Sequence, residues 1–321
     1  MGQARGGAAT SSWLTHPPAS VSYPLSGVSS QEAEATPTNR LMGLVMVVVM
    51  LTGYIVVVPV VNTAVTGLGF AVSGSGVSWQ DYTVAASQFR NVWGLLAAHL
   101  GLAALVLVVW ALFHFVHHRP LAWLWSVSPG VRWRYGLLCL IAAAIIMGAV
   151  TAFQASRGTG WNPPSDWGWY AVVIVATTPF QAMAEEVMFR GYLMQAFGTV
   201  VRQVWFPIIA TAVIFALFHG VQNPWLFGSR LVFGLLAGVL VWRTGGLESA
   251  IAIHIVNNLC VFGLALFTGA LVQARTMTEV GWGQAVSDVL IFAACSAACW
   301  GLARLLRVPT MTPTAGVARA R

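Results

Sequence analysis

Charged side chains are scarce in this chain, and lysine is absent altogether. Charged residues make up 8% of the 321 residues, hydrophobic residues make up 58%, and the mean hydropathy is +0.76. Soluble globular domains carry roughly 25% charged residues, so this composition excludes that class and predicts an integral membrane protein. The formal charge of +7 comes from arginines scattered singly at the ends of apolar runs. Because they form no basic patch or stripe, we expect no nucleic-acid partner.

Several motifs of hydrolases and metal sites are also missing. The sequence contains no HExxH, HxxEH or GxSxG, which excludes the common helical zinc signatures and the serine nucleophile elbow. It contains no CxxC pair either. The four cysteines fall inside apolar segments, where we expect buried thiols: Cys139, Cys260, Cys295 and Cys299.

Long hydrophobic runs fill most of the chain after residue 40. Crossing a hydrocarbon core of about 30 Å takes about 20 helical residues. The runs lie at about 41–61, 92–115, 135–153, 169–196, 205–219, 229–242, 248–268 and 284–303. They predict an all-α, polytopic membrane bundle of about eight transmembrane helices, in which the runs at 205 and 229 are short. Residues 62–91 and 154–168 are predicted to form outer loops.

The arginines determine the predicted orientation, because loops rich in Lys or Arg tend to stay in the cytoplasm. With an even number of helices both termini share one side. Placing them inside leaves only Arg90, Arg157, Arg230 and Arg275 outside. We therefore predict a multi-pass protein of the cell membrane with both termini in the cytoplasm. The absence of lysine and the compact chain favour a bacterial source.

The few charges within apolar runs are the most informative residues. Ionisable groups at membrane depth are costly unless they are paired or face a watery cavity. Glu186 and Arg190 have the i, i+4 spacing at which a helical acid and base pair best. Glu185 is rotated by about 100° from Glu186, so we expect it to remain free and to activate water as a general base. Alternatively, both glutamates only bind Arg190 and hold helices together.

Two later runs each carry a further polar pair. Phe215 and His219 are four residues apart, so the aromatic ring is expected to fix the rotamer of the histidine. His254 and Asn258 have the same spacing and present hydrogen-bond donors on one helix face, which suits them to hold water or stabilise an oxyanion. The alternative is that His254 and Asn258 only form hydrogen bonds between helices. Asn257 is expected to point elsewhere.

Taken in order, the motifs are Glu185, Glu186, three residues and Arg190; Phe215, three residues and His219; His254, three residues and Asn258. This set resembles the CPBP family of intramembrane proteases, also called the Abi or CAAX-protease family, over about residues 165–265. The resemblance implies a helical core around a polar intramembrane catalytic cavity, and peptide-bond hydrolysis by a water that Glu185 activates. It implies catalytic roles for Glu185, Glu186, His219, His254 and Asn258, with Arg190 and Phe215 in support.

A metal ion is left open by the sequence. The family has been described both as metalloproteases and as glutamate-dependent proteases without a metal. Glu185, His219 and His254 are the candidates for a zinc site with an open fourth position, and their spacing permits zinc without requiring it.

The predicted organisation places the catalytic core at 165–268. Around it we expect a disordered cytoplasmic tail at 1–40, accessory transmembrane helices at 41–160, a terminal transmembrane helix at 284–303 and a basic cytoplasmic tail at 304–321. The predicted function is an intramembrane endopeptidase whose partners are membrane lipids and a membrane-associated protein or peptide substrate. The alternative is a non-enzymatic immunity or scaffold factor, or a small transporter that uses the same polar cavity.

Overall fold

The structure, a computed structural model, describes residues 37–73, 76–116, 122–128, 130–157, 160–201 and 203–311. Both predicted tails therefore fall largely outside the described residues. The predicted boundary of the N-terminal tail at residue 40 is corrected, because the first helix begins at Pro37 and residues 37–40 are helical.

The described secondary structure is helical, apart from one isolated β-bridge between Ser126 and Gly246. In chain order the helices are α1 (Pro37–Ser73), α2 (Trp79–Ser87), α3 (Val92–Ala103), α4 (Leu105–Ala111), α5 (Ala122–Trp125), α6 (Trp133–Ser156), α7 (Trp167–Glu186), α8 (Met194–Val200), α9 (Trp205–Leu217), α10 (Pro224–Thr244), α11 (Glu248–Phe267), α12 (Leu271–Thr276) and α13 (Trp282–Leu305). Two π-helical segments continue helices without a break, π1 (Leu112–Val116) after α4 and π2 (Val187–Leu193) after α7.

Each predicted apolar run coincides with a helix, which confirms the all-α membrane bundle. Within the described ranges, seven helical spans are long and apolar enough to cross a membrane. Two of them combine consecutive segments, α3 to π1 and α7 to α8, and the other five are α1, α6, α10, α11 and α13. Helix α9, with 13 residues, is shorter. The run at 229 is not short, because α10 already begins at Pro224 and has 21 residues. Residues 62–91 are not one loop, since α1 extends to Ser73 and α2 forms a further short helix.

Helices α9 and α10 pack closely through the glycines of a GxxxG pattern. A Cβ atom at Gly234 would lie 2.9 Å from the Cα of Ala212, and one at Gly238 would lie 3.0 Å from Cγ2 of Ile208. Small residues permit this approach where lipid supplies no hydrophobic drive for helix association. The short α9 is thereby held against a full-length neighbour.

The four cysteines are free thiols. Cys139, Cys295 and Cys299 are buried, as expected, whereas Cys260 is half-buried.

Two sets of loop contacts define the ends of the bundle. At the first, here named the Arg132 end, Arg132 Nε donates to Glu248 Oε1 over 2.8 Å and Arg132 Nη1 donates to the carbonyl of Pro309 over 3.0 Å. At the second, named the Asn223 end, the backbone N–H of Asn223 donates to the carbonyl of Thr278 over 2.7 Å. The first end gathers the starts of α6 and α11, and the second gathers the loops at 218–223 and 268–281.

Candidate active site

The predicted ion pair between Glu186 and Arg190 lies in the core of the bundle. Arg190 Nη1 donates to Glu186 Oε1 over 2.8 Å, and both side chains are fully buried. The guanidinium carbon of Arg190 lies 4.4 Å from the ring centroid of Phe215 and 5.7 Å from that of Phe233. Cation–π attraction adds to the ion pair at such distances. Phe215 therefore stabilises the arginine as well as the histidine with which it was paired in the sequence.

His254 joins the two glutamates. Its Nδ1 lies 2.7 Å from Glu186 Oε1, and its Nε2 lies 3.3 Å from Glu185 Oε2. Each ring nitrogen thus faces a carboxylate, which fixes the orientation of the imidazole. Glu186 is bound by Arg190 and His254 in the core of the bundle. Glu185, on the other side of the imidazole, lines a cavity. Arg190 pairs with Glu186 as predicted, whereas Glu185 is in contact with His254.

Asn258 is held by a residue that sequence reasoning missed. Its Nδ2 donates to Oε1 of Gln181 over 2.9 Å, and its Oδ1 accepts from Nδ2 of Asn257 over 3.0 Å. Asn257 therefore belongs to the site, contrary to the expectation that it points elsewhere. The signals were available, because Gln181 is one helical turn before Glu185 and Asn257 is three residues after His254.

His219 lies just beyond the end of α9, on the short loop at 218–223. Its Nδ1 donates to the backbone carbonyl of Phe215 over 2.8 Å, and the two ring centroids are 4.7 Å apart at an interplanar angle of 63°. The expectation that Phe215 fixes the histidine is confirmed, although the contact is edge-on. With the proton on Nδ1, Nε2 of the neutral ring is a hydrogen-bond acceptor.

These residues surround one cavity of about 480 Å³. Its walls include Glu185, His219, His254, Asn258 and Phe215, so three separate motifs meet at one space. Glu186 and Arg190 lie behind the wall and do not line it. The remaining lining is largely apolar and aromatic, and includes Val58, Leu102, Phe218, Val261 and Phe262.

Irregular backbone flanks the glutamates on both sides. Pro179 interrupts the hydrogen bonding of α7 six residues before Glu185, and π2 begins directly after Glu186. Proline removes a backbone donor from a helix interior, and π-helical turns are frequent at functional sites. At membrane depth such backbone is tolerated where it is enclosed by protein or lines a cavity.

A metal centre is not assembled from the described residues. They contain no group of three or more His, Cys, Asp or Glu side chains placed to hold one ion. The predicted donors Glu185 and His254 face each other directly, with His254 Nε2 3.3 Å from the carboxylate. The zinc hypothesis stays a prediction, and the chemistry below takes no step through a metal.

All three motifs lie in a stretch that is similar to a known protein family. The family described as type II CAAX prenyl endopeptidase Rce1-like matches residues 167–260, which contain all three motifs. The uncharacterized protein YyaK of Bacillus subtilis (strain 168) is 27% identical over 168 residues, which cover 48% of this chain and 56% of YyaK, so the match spans little more than half of that relative. No solved structure matches the chain. Residues 167–260, with all three motifs, are thus similar to the type II CAAX prenyl endopeptidase Rce1-like family, which confirms the family resemblance seen in the sequence.

Proposed function

We propose that this protein is an endopeptidase of the cell membrane that hydrolyses peptide bonds of membrane-associated proteins or peptides with a water activated by Glu185. The observation that supports this most is the asymmetry of the two glutamates. Glu186 is sealed behind the cavity wall by Arg190 and His254, whereas Glu185 lines the cavity. A carboxylate needs that position to reach a water and a substrate.

In the proposed reaction Glu185 removes a proton from a water in the cavity. Nε2 of His219 accepts a hydrogen bond from the same water and directs its lone pair towards the scissile carbonyl. The hydroxide adds to the carbonyl carbon and forms a tetrahedral intermediate. The protonated Glu185 then gives its proton to the leaving amine as the C–N bond breaks, so that the carboxylate is regenerated.

Asn258 is the proposed donor to the oxyanion. One of its two Nδ2 hydrogens is bound to Gln181, and the other is left for the negative charge that develops on the carbonyl oxygen. A donor that is already oriented is worth more in a site shielded from water, because it need not reorganise during the reaction. Glu186 acts on the reaction through His254, which it orients, and not by contact with the substrate.

The cavity extends from the catalytic residues towards one end of the bundle. His254 lies six residues from the start of α11 at Glu248, about 9 Å by helical rise, so this part of the catalytic site is nearer the Arg132 end. The cavity extends from there past Tyr54, Asn62 and Phe89 to Arg275 and Met277, near the Asn223 end. We propose that substrate enters from the Asn223 end, which the arginine distribution assigns to the outside of the cell.

This orientation has a direct test. In intact cells, a membrane-impermeant maleimide is expected to label an Arg275→Cys variant, because Arg275 is exposed at the Asn223 end. The matched Arg243→Cys variant carries its cysteine at the other end of the bundle and should be labelled only after the cells are opened. Labelling of the unsubstituted chain gives the background from its four native cysteines. The reverse labelling pattern would contradict the orientation.

The proposed activity is tested by comparing membrane protein termini in two strains. One strain produces the unsubstituted protein and the other produces the Glu185→Gln variant at equal abundance. We expect a small set of membrane-associated proteins to carry new termini only in the first strain. Identical termini, together with an unchanged phenotype of the variant in a deletion strain, would instead support the immunity, scaffold or transporter alternative.

A further inference from the structure

Arg230 is a half-buried arginine that forms no ion pair with any residue that the structure describes. It lies in the second turn of α10 and lines the catalytic cavity, and its Nη1 atom is buried without a hydrogen-bond partner among the described residues. In the part of the chain that the structure describes, the arginines paired with carboxylates are Arg132 and Arg190. An unpaired charge at this depth costs stability, so it is typically retained for a functional reason.

The neighbouring charged groups form no ion pair with Arg230 among the described residues. Asp288 of α13 also lines the cavity, but it accepts a hydrogen bond from Nε2 of Gln284 over 2.7 Å and forms no ion pair with Arg230. Arg275, the other arginine of the cavity wall, is exposed, donates to the carbonyl of Ser87 over 3.2 Å and lies over the ring of Phe89. Of the two arginines in this wall, Arg230 is therefore the one with a buried donor, Nη1, that has no partner among the described residues.

The position of Arg230 relates it to the reaction. Phe233, three residues further along α10, has its ring centroid 5.1 Å from that of His254. Three residues correspond to about 4.5 Å of helical rise. Arg230 thus lies roughly one turn from the catalytic centre, on the side of the proposed substrate entrance.

We propose that Arg230 is a specificity-determining residue that binds a carboxylate group of the peptide substrate. The inference rests on the proposed endopeptidase function, because it assumes a peptide in this cavity. A guanidinium matches the geometry of a carboxylate through two parallel hydrogen bonds, and such charge-assisted pairs are stronger than neutral ones. A site with a buried unpaired donor also rejects analogues that lack the matching group. The carboxylate can be the C-terminus of the substrate or an Asp or Glu side chain.

Binding of defined peptides tests the proposal. The full-length protein in detergent, carrying Glu185→Gln to prevent turnover, is titrated with three acylated fluorescent peptides. The first ends in a free carboxylate, the second is the same sequence as a C-terminal amide, and the third is the amide with one internal Gln replaced by Glu. We expect at least one carboxylate peptide to bind about 10-fold or more tightly than the neutral amide. Which one does so identifies the source of the carboxylate.

Substitutions separate the role of Arg230 from a merely structural one. Arg230→Gln should abolish the preference for carboxylate and leave the affinity for the neutral amide unchanged, and Arg230→Lys should keep part of the preference. The matched Arg275→Gln variant should keep all of it. Size-exclusion elution and thermal unfolding establish that each variant is folded. Equal affinities in the parent protein, absence of any binding, or an equal loss for all three peptides in Arg230→Gln would overturn the proposal. Arg230-dependent binding of phosphatidylglycerol in place of the peptides would also overturn it.

Cleavage of the same peptides by the protein with Glu185 intact distinguishes this proposal from the proposed function. A carboxylate preference without cleavage would keep Arg230 as a binding residue and reject the endopeptidase. Cleavage that Glu185→Gln abolishes, with no preference for carboxylate, would keep the endopeptidase and reject the role of Arg230.

Discussion

Replacing Glu185 with glutamine is expected to lower kcat for peptide cleavage by about 10²–10⁴-fold, the usual contribution of a general acid–base group. Glutamine has the size of glutamate and keeps an oxygen that can face Nε2 of His254, so packing is preserved while the base is removed. The KM value should change little, because Glu185 acts on the water and not on substrate binding. The measurement is steady-state cleavage of an identified substrate peptide by the purified protein.

The control for this prediction is Glu279→Gln, which removes an exposed carboxylate near the Asn223 end and should leave kcat unchanged. Thermal unfolding of the Glu185→Gln variant should remain close to that of the unsubstituted protein. A kcat value for Glu185→Gln within a few-fold of the parent would exclude Glu185 as the base, and the roles assigned to His219 and Asn258 would then have to be reconsidered.

Helical spacing was sufficient to find most of the candidate site. Glu186 and Arg190, and His254 and Asn258, are each four residues apart within a helix, so each pair lies on one helix face whatever the tertiary structure. Phe215 and His219 have the same spacing and are in contact, although His219 lies just beyond the end of α9. The contact of His254 with both glutamates could not be predicted in this way. It joins residues about 70 positions apart and depends on how α11 packs against α7.

Hydrophobic runs predicted the helices but misjudged where some of them end. The apolar run of α10 was placed from 229, yet the helix begins five residues earlier, where Asn223 caps it and Pro224 occupies the first turn. The missed residues, 224–228, include Pro224 and Gly228, which interrupt a helical pattern in the sequence although proline is tolerated in the first turn of a helix. From the sequence, Arg230 was counted only as one of four arginines on the outer side of the membrane.

Replacing Arg190 with methionine is expected to destabilise the fold more than any other single loss of charge near the site, by about 3–5 kcal/mol. Both partners of the Glu186–Arg190 pair are fully buried, and Oε2 of Glu186 has no hydrogen-bond partner among the described residues. Without Arg190, Glu186 would retain only His254 as a partner in a low-dielectric environment. The free energy of unfolding is measured by chemical denaturation in mixed micelles, with the exposed Arg243→Met as a control that should cost far less.

A double variant shows whether the stability lost in Arg190→Met comes from the unpaired carboxylate of Glu186 or from lost packing. Glu186→Gln combined with Arg190→Met removes both charges while the glutamine oxygen can still accept from Nδ1 of His254. Since replacing a whole buried ion pair is often close to neutral, whereas removing one partner is not, the double variant should recover most of the stability lost in Arg190→Met. Stability that stays low in the double variant would indicate that the guanidinium acts mainly through its contacts with Phe215 and Phe233. Recovered stability without recovered cleavage would show that the pair also orients His254 for the reaction, because an uncharged glutamine holds that ring less firmly than a carboxylate does.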